Sequence, residues 1–490
     1  MTIGFNSVPS NVRVPWLYAE FDNSAAQQGP NQQPYKVLMF GPKLPAGSAV
    51  EGSVNLINSS GLNADTLFGQ GSLLAHMAKA FREVNTVNEL YAVPLDDALA
   101  SVAAAGSLEF LTPASGSGVF AAYIAGRRYA FAVANGDTEA DMATALVAAI
   151  TADADALVTA AVNGGNADLV DLTAKNKGVQ GNDIDIRVNY GSDDETPAGV
   201  TFTIVAMAAG AGQPDLSTAI AGLPDEQYIL MISPWVDSTT RAAIEQELGD
   251  RFGPLQQIDG YCHYYKKDSL GNLVTFGSGL NSQFTVVHRA GGPEHGASQI
   301  SRKVALIARA AEIDPARPFQ NLEVTGMLAE DESERLPLED RNTLLYNGIA
   351  TDKIVAGKVI LERVITTYQK NNAGAADTSY LDLNSLLTLS YLRYDWRNYM
   401  LGKYPRHKLA NDGTRFSEGQ PIMTPGLGKA EAIAKFRQWE FAGLVEGADQ
   451  FKEQLIVERN QSDPNRLDFL LPPDLINQLR VIGTQFKFLL

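Results

Sequence analysis

The chain has 490 residues, 45% hydrophobic and 19% charged, with one cysteine and 39 basic against 56 acidic side chains, a formal net charge of −17. That composition excludes collagen-like, mucin-like and wholly disordered chains. A lone cysteine, Cys262, excludes an intramolecular disulfide framework and a cysteine-based zinc site. So acidic a chain would be repelled by phosphates, and no nucleic acid is expected as a direct partner.

In chain order, the opening residues read as an extended arm. Val12, Val14, Trp16 and Tyr18 alternate among strand formers, while Pro9 and Pro15 lack the ladder donor and favour an edge position. A turn-rich stretch from Asp22 to Pro34 precedes an apolar strand, Lys36–Phe40. Leu73, Leu74, Met77, Ala80 and Phe81 recur at helical spacing and predict a helix over Ser72–Val84, with a strand at Tyr91–Pro94 beyond it. From Tyr91 to Leu230 there are 18 Asp or Glu against 5 Lys or Arg, which leaves only −4 for the rest of the chain. Such a block reads as a separate, well-solvated domain inserted in another, so its removal should leave the remaining fold intact. Inside it, Val119–Ile124 and Arg128–Val133 predict a hairpin, and Thr138 with Asp141 a capping-box variant opening a helix to Ile150. Short strands are expected at Val158–Val162, Ala167–Thr173, Asp183–Asn189 and Val200–Ala206.

Strands and helices then alternate, as in an α/β core. Strands are expected at Gln227–Ser233, Asp259–Tyr265, Leu273–Phe276 and Phe284–Arg289, with helices at Ser238–Leu248 (Ser238 as N-cap) and Ser298–Ala311. A strand pair near Ile354–Ala356 and Val359–Thr366, helices over Leu381–Gly402 and Lys429–Leu444, and strands at Gln454–Arg459 and Arg466–Leu471 complete the pattern. The apolar stretch Leu381–Leu401 contains Asp382, Arg393, Asp395 and Arg397, too many charges to span a bilayer. The N-terminus shows no basic region followed by an apolar run, so the chain is expected to be made and kept in a reducing cytoplasm or to leave by a route needing no signal peptide. At the other end Phe486, Phe488 and Leu490 fall on one face at period two. An apolar strand there is an aggregation hazard unless something pairs with it, either its own domain or a neighbouring molecule.

The search for chemistry is negative. Gly426–Ala430 lacks the spacing and hydroxyl of a phosphate loop, and the match to a dinucleotide fingerprint at Gly116–Ala121 runs into strand-like sequence rather than a helix. There is no Gly-x-Ser-x-Gly elbow. The five histidines form no metal-binding pair, and the run Asp193–Glu195 lacks a calcium loop around it. Cys262 and His263 are adjacent in a strand, so their side chains face opposite ways and cannot form a thiolate–imidazolium couple. No catalytic, cofactor-binding or metal site is expected. The competing possibility is an α/β enzyme whose site is assembled from His263, His288 and Glu294.

Several stretches resemble the contractile tail sheath of Mu-like bacteriophages and related prophages. These are Asn11–Phe21, Ala174–Gly178 with Gly181–Arg187, Asn347–Ala350 leading to Val364–Tyr368, the helix with Tyr391–Arg397, and Arg466–Arg480. The resemblance implies a structural, non-enzymatic protein without cofactors. It would form stacked hexameric rings in a helical polymer around a tail tube, with baseplate and tail terminator proteins as further partners, and contract to drive the tube through the host envelope. It would assemble in the host bacterial cytoplasm and reside in the virion, without inserting into a membrane. Another phage tail structural role is the third reading. The expected fold is α/β plus α+β and multidomain. It comprises an N-terminal arm (1–22), a first core sheath segment (23–96), an inserted acidic, antiparallel-rich peripheral domain (97–226), a second core segment (227–380), a C-terminal sheath domain (381–474) and a C-terminal arm strand (475–490). Val12, Val14, Trp16, Tyr18, Phe486, Phe488 and Leu490 are the expected intersubunit contacts.

Overall fold

A computed structural model describes residues 33–417 and 419–489. Val12, Val14, Trp16, Tyr18 and Leu490 therefore lie outside the described residues. The described chain forms two compact units, one of Pro34–Ser390 with the segment from Asn477 onward, the other of Tyr391–Ile476. It is mixed α/β, with several separate sheets.

The larger unit is built on an eight-stranded sheet of β1 (Val37–Pro42), β2 (Asn55–Ile57), β3 (Leu90–Leu95), β4 (Leu230–Ile232), β5 (Tyr261–Lys266), β6 (Thr285–Arg289), β7 (Ile349–Val355) and β8 (Lys358–Arg363). Its spatial order is β8-β7-β6-β5-β4-β1-β3-β2, parallel except for the two edge pairs, β7–β8 and β2–β3. The near-continuous apolar runs follow from burial on both faces. Val37 and Met39 of β1 join one hydrophobic cluster with Leu74, Met77 and Phe81 of helix α1 (Leu73–Val84), and with Ile300 and Val304 of helix α3 (Gly296–Ile313). Leu38 and Phe40, one residue out of phase, join the second cluster with Ile244 and Leu248 of helix α2 (Ser238–Phe252). Ser72 caps α1 by accepting from the Ala75 amide.

Between β3 and β4 the chain leaves this sheet. It builds a four-stranded antiparallel sheet of Phe202–Ala208, Ala105–Phe110, Leu169–Ala174 and Val158–Val162, and a three-stranded one of Arg127–Val133, Gly118–Ile124 and Ile186–Val188. The helix Glu139–Thr151 starts on the Thr138–Asp141 capping box. Leu108, Phe110, Phe120 and Met142 belong to the same hydrophobic cluster as α1 and α3, so this segment shares a core with the main sheet. Polar contacts reinforce the junction. The Asn176 side chain accepts from the Leu73 amide at 2.8 Å and donates to the Lys43 carbonyl at 3.0 Å.

Two expectations are corrected. Leu273–Phe276 is not a strand but part of the helix Leu270–Ser278, opened by Ser269, which accepts from the Asn272 amide. The run Leu-Val-Thr-Phe is strand-like by residue type, and the cap and the burial of Leu273 and Gly277 at helical spacing override it. Asp237, not Ser238, caps α2, accepting from the Thr239 and Thr240 amides. At the C-terminal end, strand pairing stops at Asp474–Leu475, and residues 476–489 form no strand within this chain.

In the smaller unit the end of helix α4 (Leu383–Lys403) packs with helix α5 (Pro425–Phe441), which Thr424 caps and Pro425 opens. Lys435 and Asp395 form an ion pair at 2.6 Å, 2% and 0% exposed, and the Trp439 indole donates to Asp395 at 2.7 Å. Glu431 collects Tyr399, Lys403 and Tyr404.

Candidate interaction surface

The histidines and carboxylates that an enzyme would need are engaged inside the fold. His263 on β5 and His288 on β6 approach at 3.1 Å, Nδ1 to Nε2, and both are buried. Burial holds His263 down at about 3, and burial with the nearby charge of Lys303 holds His288 well below the usual imidazole range, so both are neutral. Cys262, on the opposite face in the second cluster, is pushed up to about 12 by burial and is a poor nucleophile. Glu294 does not join the pair of histidines; it binds the Arg302 guanidinium at 2.9 Å. His295 caps α3, its Nδ1 accepting from the Ala297 amide and its Nε2 donating to the Gln180 carbonyl at 3.0 Å.

In an open α/β sheet, ligands bind beyond the carboxyl ends of the strands, where the strand order reverses. That place lies between β1 and β4. The inserted segment reaches over this end of the sheet: Tyr265, ending β5, donates to Asp183 at 2.9 Å, and Gln180 holds His295. A cleft of about 410 Å³ lies beyond the ends of β4 and β5 rather than at β1, lined by Trp235, Asp237, Tyr265, Lys267 and Asp183. Among the described residues no group of three or more His, Cys, Asp and Glu is placed to hold a metal, and no helix is long and apolar enough to cross a membrane.

The unusual surface is the C-terminal segment. Phe486 and Phe488 are 87% and 81% exposed, and Leu479, Val481, Ile482 and Leu489 are exposed as well. Its root is held: the Ile476 amide donates to the Leu444 carbonyl, the Gln320 side chain donates to the Leu479 carbonyl at 2.9 Å, and Arg480 meets Asp382 at 2.9 Å. From Val481 to Leu489 no main-chain hydrogen bond to other described residues is made.

Among the described residues, the sheets of the smaller unit have open edges. Its sheets are two-stranded: Lys408–Leu409 with Ile422–Met423, Val445–Glu446 with Asp474–Leu475, and Ile456–Arg459 with Leu467–Leu470. Ile456 and Leu470 stand opposite each other in the last pair and both are exposed. Two-stranded sheets are marginal alone and carry unpaired edges on both sides. Sequence reasoning found the aromatic tail and the strands Ile456–Arg459 and Leu467–Leu470, but missed the two-residue strands, which leave no readable periodicity.

The titratable groups of the interior are thus engaged with one another, and the exposed apolar side chains gather between Leu479 and Leu489. Residues 209–367 match the phage tail sheath protein central domain, and residues 375–488 the phage tail sheath C-terminal domain. The chain is 42% identical over 492 residues to the Mu-like prophage FluMu tail sheath protein of Haemophilus influenzae, covering 100% of both. A solved sheath tail protein from Desulfitobacterium hafniense aligns with a TM-score of 0.47 at 11% identity, over 94% of this chain and 100% of that one. The chain belongs to the phage tail sheath proteins, of the Mu-like kind, and is a structural component of a phage tail.

Proposed function

We propose that this chain is the subunit of a contractile sheath, stacking as hexameric rings around a tail tube and shortening to drive the tube through a host cell envelope. The exposed apolar tail carries the reading: Phe486 and Phe488 would not remain in water in a chain that acts alone. Strand addition to an open edge of a neighbouring subunit would bury them and satisfy the free main-chain groups together. In this reading residues 1–22 and 475–490 are intersubunit arms, with Val12, Val14, Trp16, Tyr18, Phe486, Phe488 and Leu490 as their contacts. Segments 23–96 and 227–380 form the core sheath domain, and 381–474 the C-terminal sheath domain. The acidic segment 97–226 faces solvent, because packing copies of one strongly acidic surface against each other is repulsive. The tube, baseplate and tail terminator are the remaining partners, and assembly takes place in the host cytoplasm.

Removing Phe486–Leu490 tests this. The truncated chain is expected to remain a folded, soluble subunit that forms no long tubes in negative-stain micrographs. Normal contractile tubes from that truncation would overturn the arm assignment.

A further inference from the structure

We propose that the cleft beyond the ends of β4 and β5 is a binding site for a small, multiply charged oxyanion, held between the inserted acidic segment and the main sheet. The cleft lies within one subunit, so the site is independent of the sheath reading. Its walls come from both sides: Gln180 and Asp183 from the inserted segment, Trp235 from the turn after β4, and Tyr265, Lys266 and Lys267 from the end of β5. Its volume of about 410 Å³ is far above the about 10–15 Å³ that a single water needs.

These walls hold donors that the fold does not use. The Trp235 indole Nε1 and the Gln180 amide Nε2 make no hydrogen bond to any described residue, although Trp235 is 1% and Gln180 4% exposed. Buried donors are almost always paired in folded chains, so two without partners at one cleft point to a group that the chain does not supply. Lys266 and Lys267 are held loosely. The carboxylates they meet, Asp268 and Asp185, stand at 3.6 Å, and Lys267 reaches the Asp183 carbonyl at 3.5 Å, all longer than a good hydrogen bond. The carboxylates on the wall, in contrast, serve the fold: Asp183 accepts from the Tyr265 hydroxyl at 2.9 Å, and Asp237 caps α2.

Two N–H donors and two ammonium groups suit oxygen atoms that carry negative charge, and charge-assisted bonds of that kind are the strong ones. A cation would be repelled by both lysines, and an apolar ligand would leave the donors unmet. Both Nε atoms are covered by their neighbours. The Gln180 amide turns on a terminal torsion that is broad and two-fold, so its N–H can swing into the cleft, while a bridging water relays the indole N–H to the anion. The carboxyl end of parallel strands is also where open α/β sheets take ligands. An anion bound here would join the inserted segment to the sheet beside the Tyr265–Asp183 and His295–Gln180 bonds, and would stabilise the folded chain by mass action.

The full chain labelled with 5-fluorotryptophan tests this by fluorine NMR. The probes are inorganic pyrophosphate and citrate, each set against sodium chloride of matched ionic strength. The chain has four tryptophans, and Trp235→Phe identifies the Trp235 signal. A probe that binds should shift that signal saturably below about 10 mM, tenfold above a millimolar Kd, and leave the other three in place. The double variant Lys266→Gln, Lys267→Gln, at two partly exposed positions, should weaken binding at least tenfold. If Trp235→Phe does not fold, the urea midpoint reads the same site: a binding probe raises it in the parent chain and not in the lysine double variant. A response to pyrophosphate alone assigns the site to phosphates, and one to citrate alone assigns it to carboxylates. No saturable shift with either probe, an equal shift with chloride, or undiminished binding in the lysine variant overturns the proposal.

Discussion

At His263 and His288 the interior sets a pH limit. Both imidazoles are neutral when folded, His263 with its proton affinity held down to about 3, whereas an imidazole in the unfolded chain takes up a proton near pH 6.5. Their contribution is therefore whole above about pH 6.5 and is lost progressively as pH falls below it, because unfolding lets the rings bind protons. Each such ring costs up to about 1.4 kcal/mol per pH unit in that window. His76, held to about 4 by burial, acts in the same direction. Urea unfolding at pH 7.5, 6 and 5 should show a steep loss of stability, and His288→Gln should flatten it; a flat profile in the parent chain would refute the argument. A steric limit acts at Gly296, where an added Cβ would lie 2.2 Å from the Tyr265 ring. That ring is fixed by its bond to Asp183, so Gly296→Ala should lower stability by about 1–3 kcal/mol, seen as a shift of the urea midpoint. Sequence predicted that Cys262 and His263 diverge, but not that His263 would meet His288, since that depends on the register of β5 against β6.

Among elements, the α4–α5 contact shows what helical pattern alone does not specify. Lys435 and Asp395 are buried together, and neither helix has a clean apolar face to announce it. Lys435→Met removes the ammonium that meets the buried Asp395 carboxylate and should cost about 3–5 kcal/mol. The double variant Lys435→Met, Asp395→Leu should recover much of that loss. Unfolding followed by fluorescence of Trp396 and Trp439 checks both, and a double variant no better than the single would show that the pair is not the source of the loss. The helix Leu270–Ser278 marks the same boundary of legibility. Its residue types favour a strand, and the cap at Ser269 with burial of one side decides for a helix. Where pattern and cap agree, as in α1 with Ser72 and in Glu139–Thr151 with Thr138, the sequence is sufficient.

For the whole molecule, excision of about residues 97–225 is the informative deletion. Every strand of the eight-stranded sheet lies outside that segment, so the sheet should survive with its circular-dichroism signature. The shared hydrophobic cluster and the Asn176 bonds to Leu73 and Lys43 would be lost, so the product should unfold at lower urea than the parent. Complete loss of structure would show that the segment is required for folding rather than inserted in a self-sufficient fold.

The sequence by itself determined the α/β alternation, the concentration of acidic charge between Tyr91 and Leu230, the absence of an active-site motif, and the aromatic period at the tail, because each is written in consecutive residues. Tertiary structure alone decided that the acidic segment lies over the carboxyl ends of the main strands and shares their core, that two histidines neutralise each other's use, and that the tail leaves its own fold at Arg480. Those facts depend on which distant residues meet, and no local propensity encodes that. The net charge of −17 thus has a location as well as a sign: its excess sits on one segment of the sequence, between Tyr91 and Leu230.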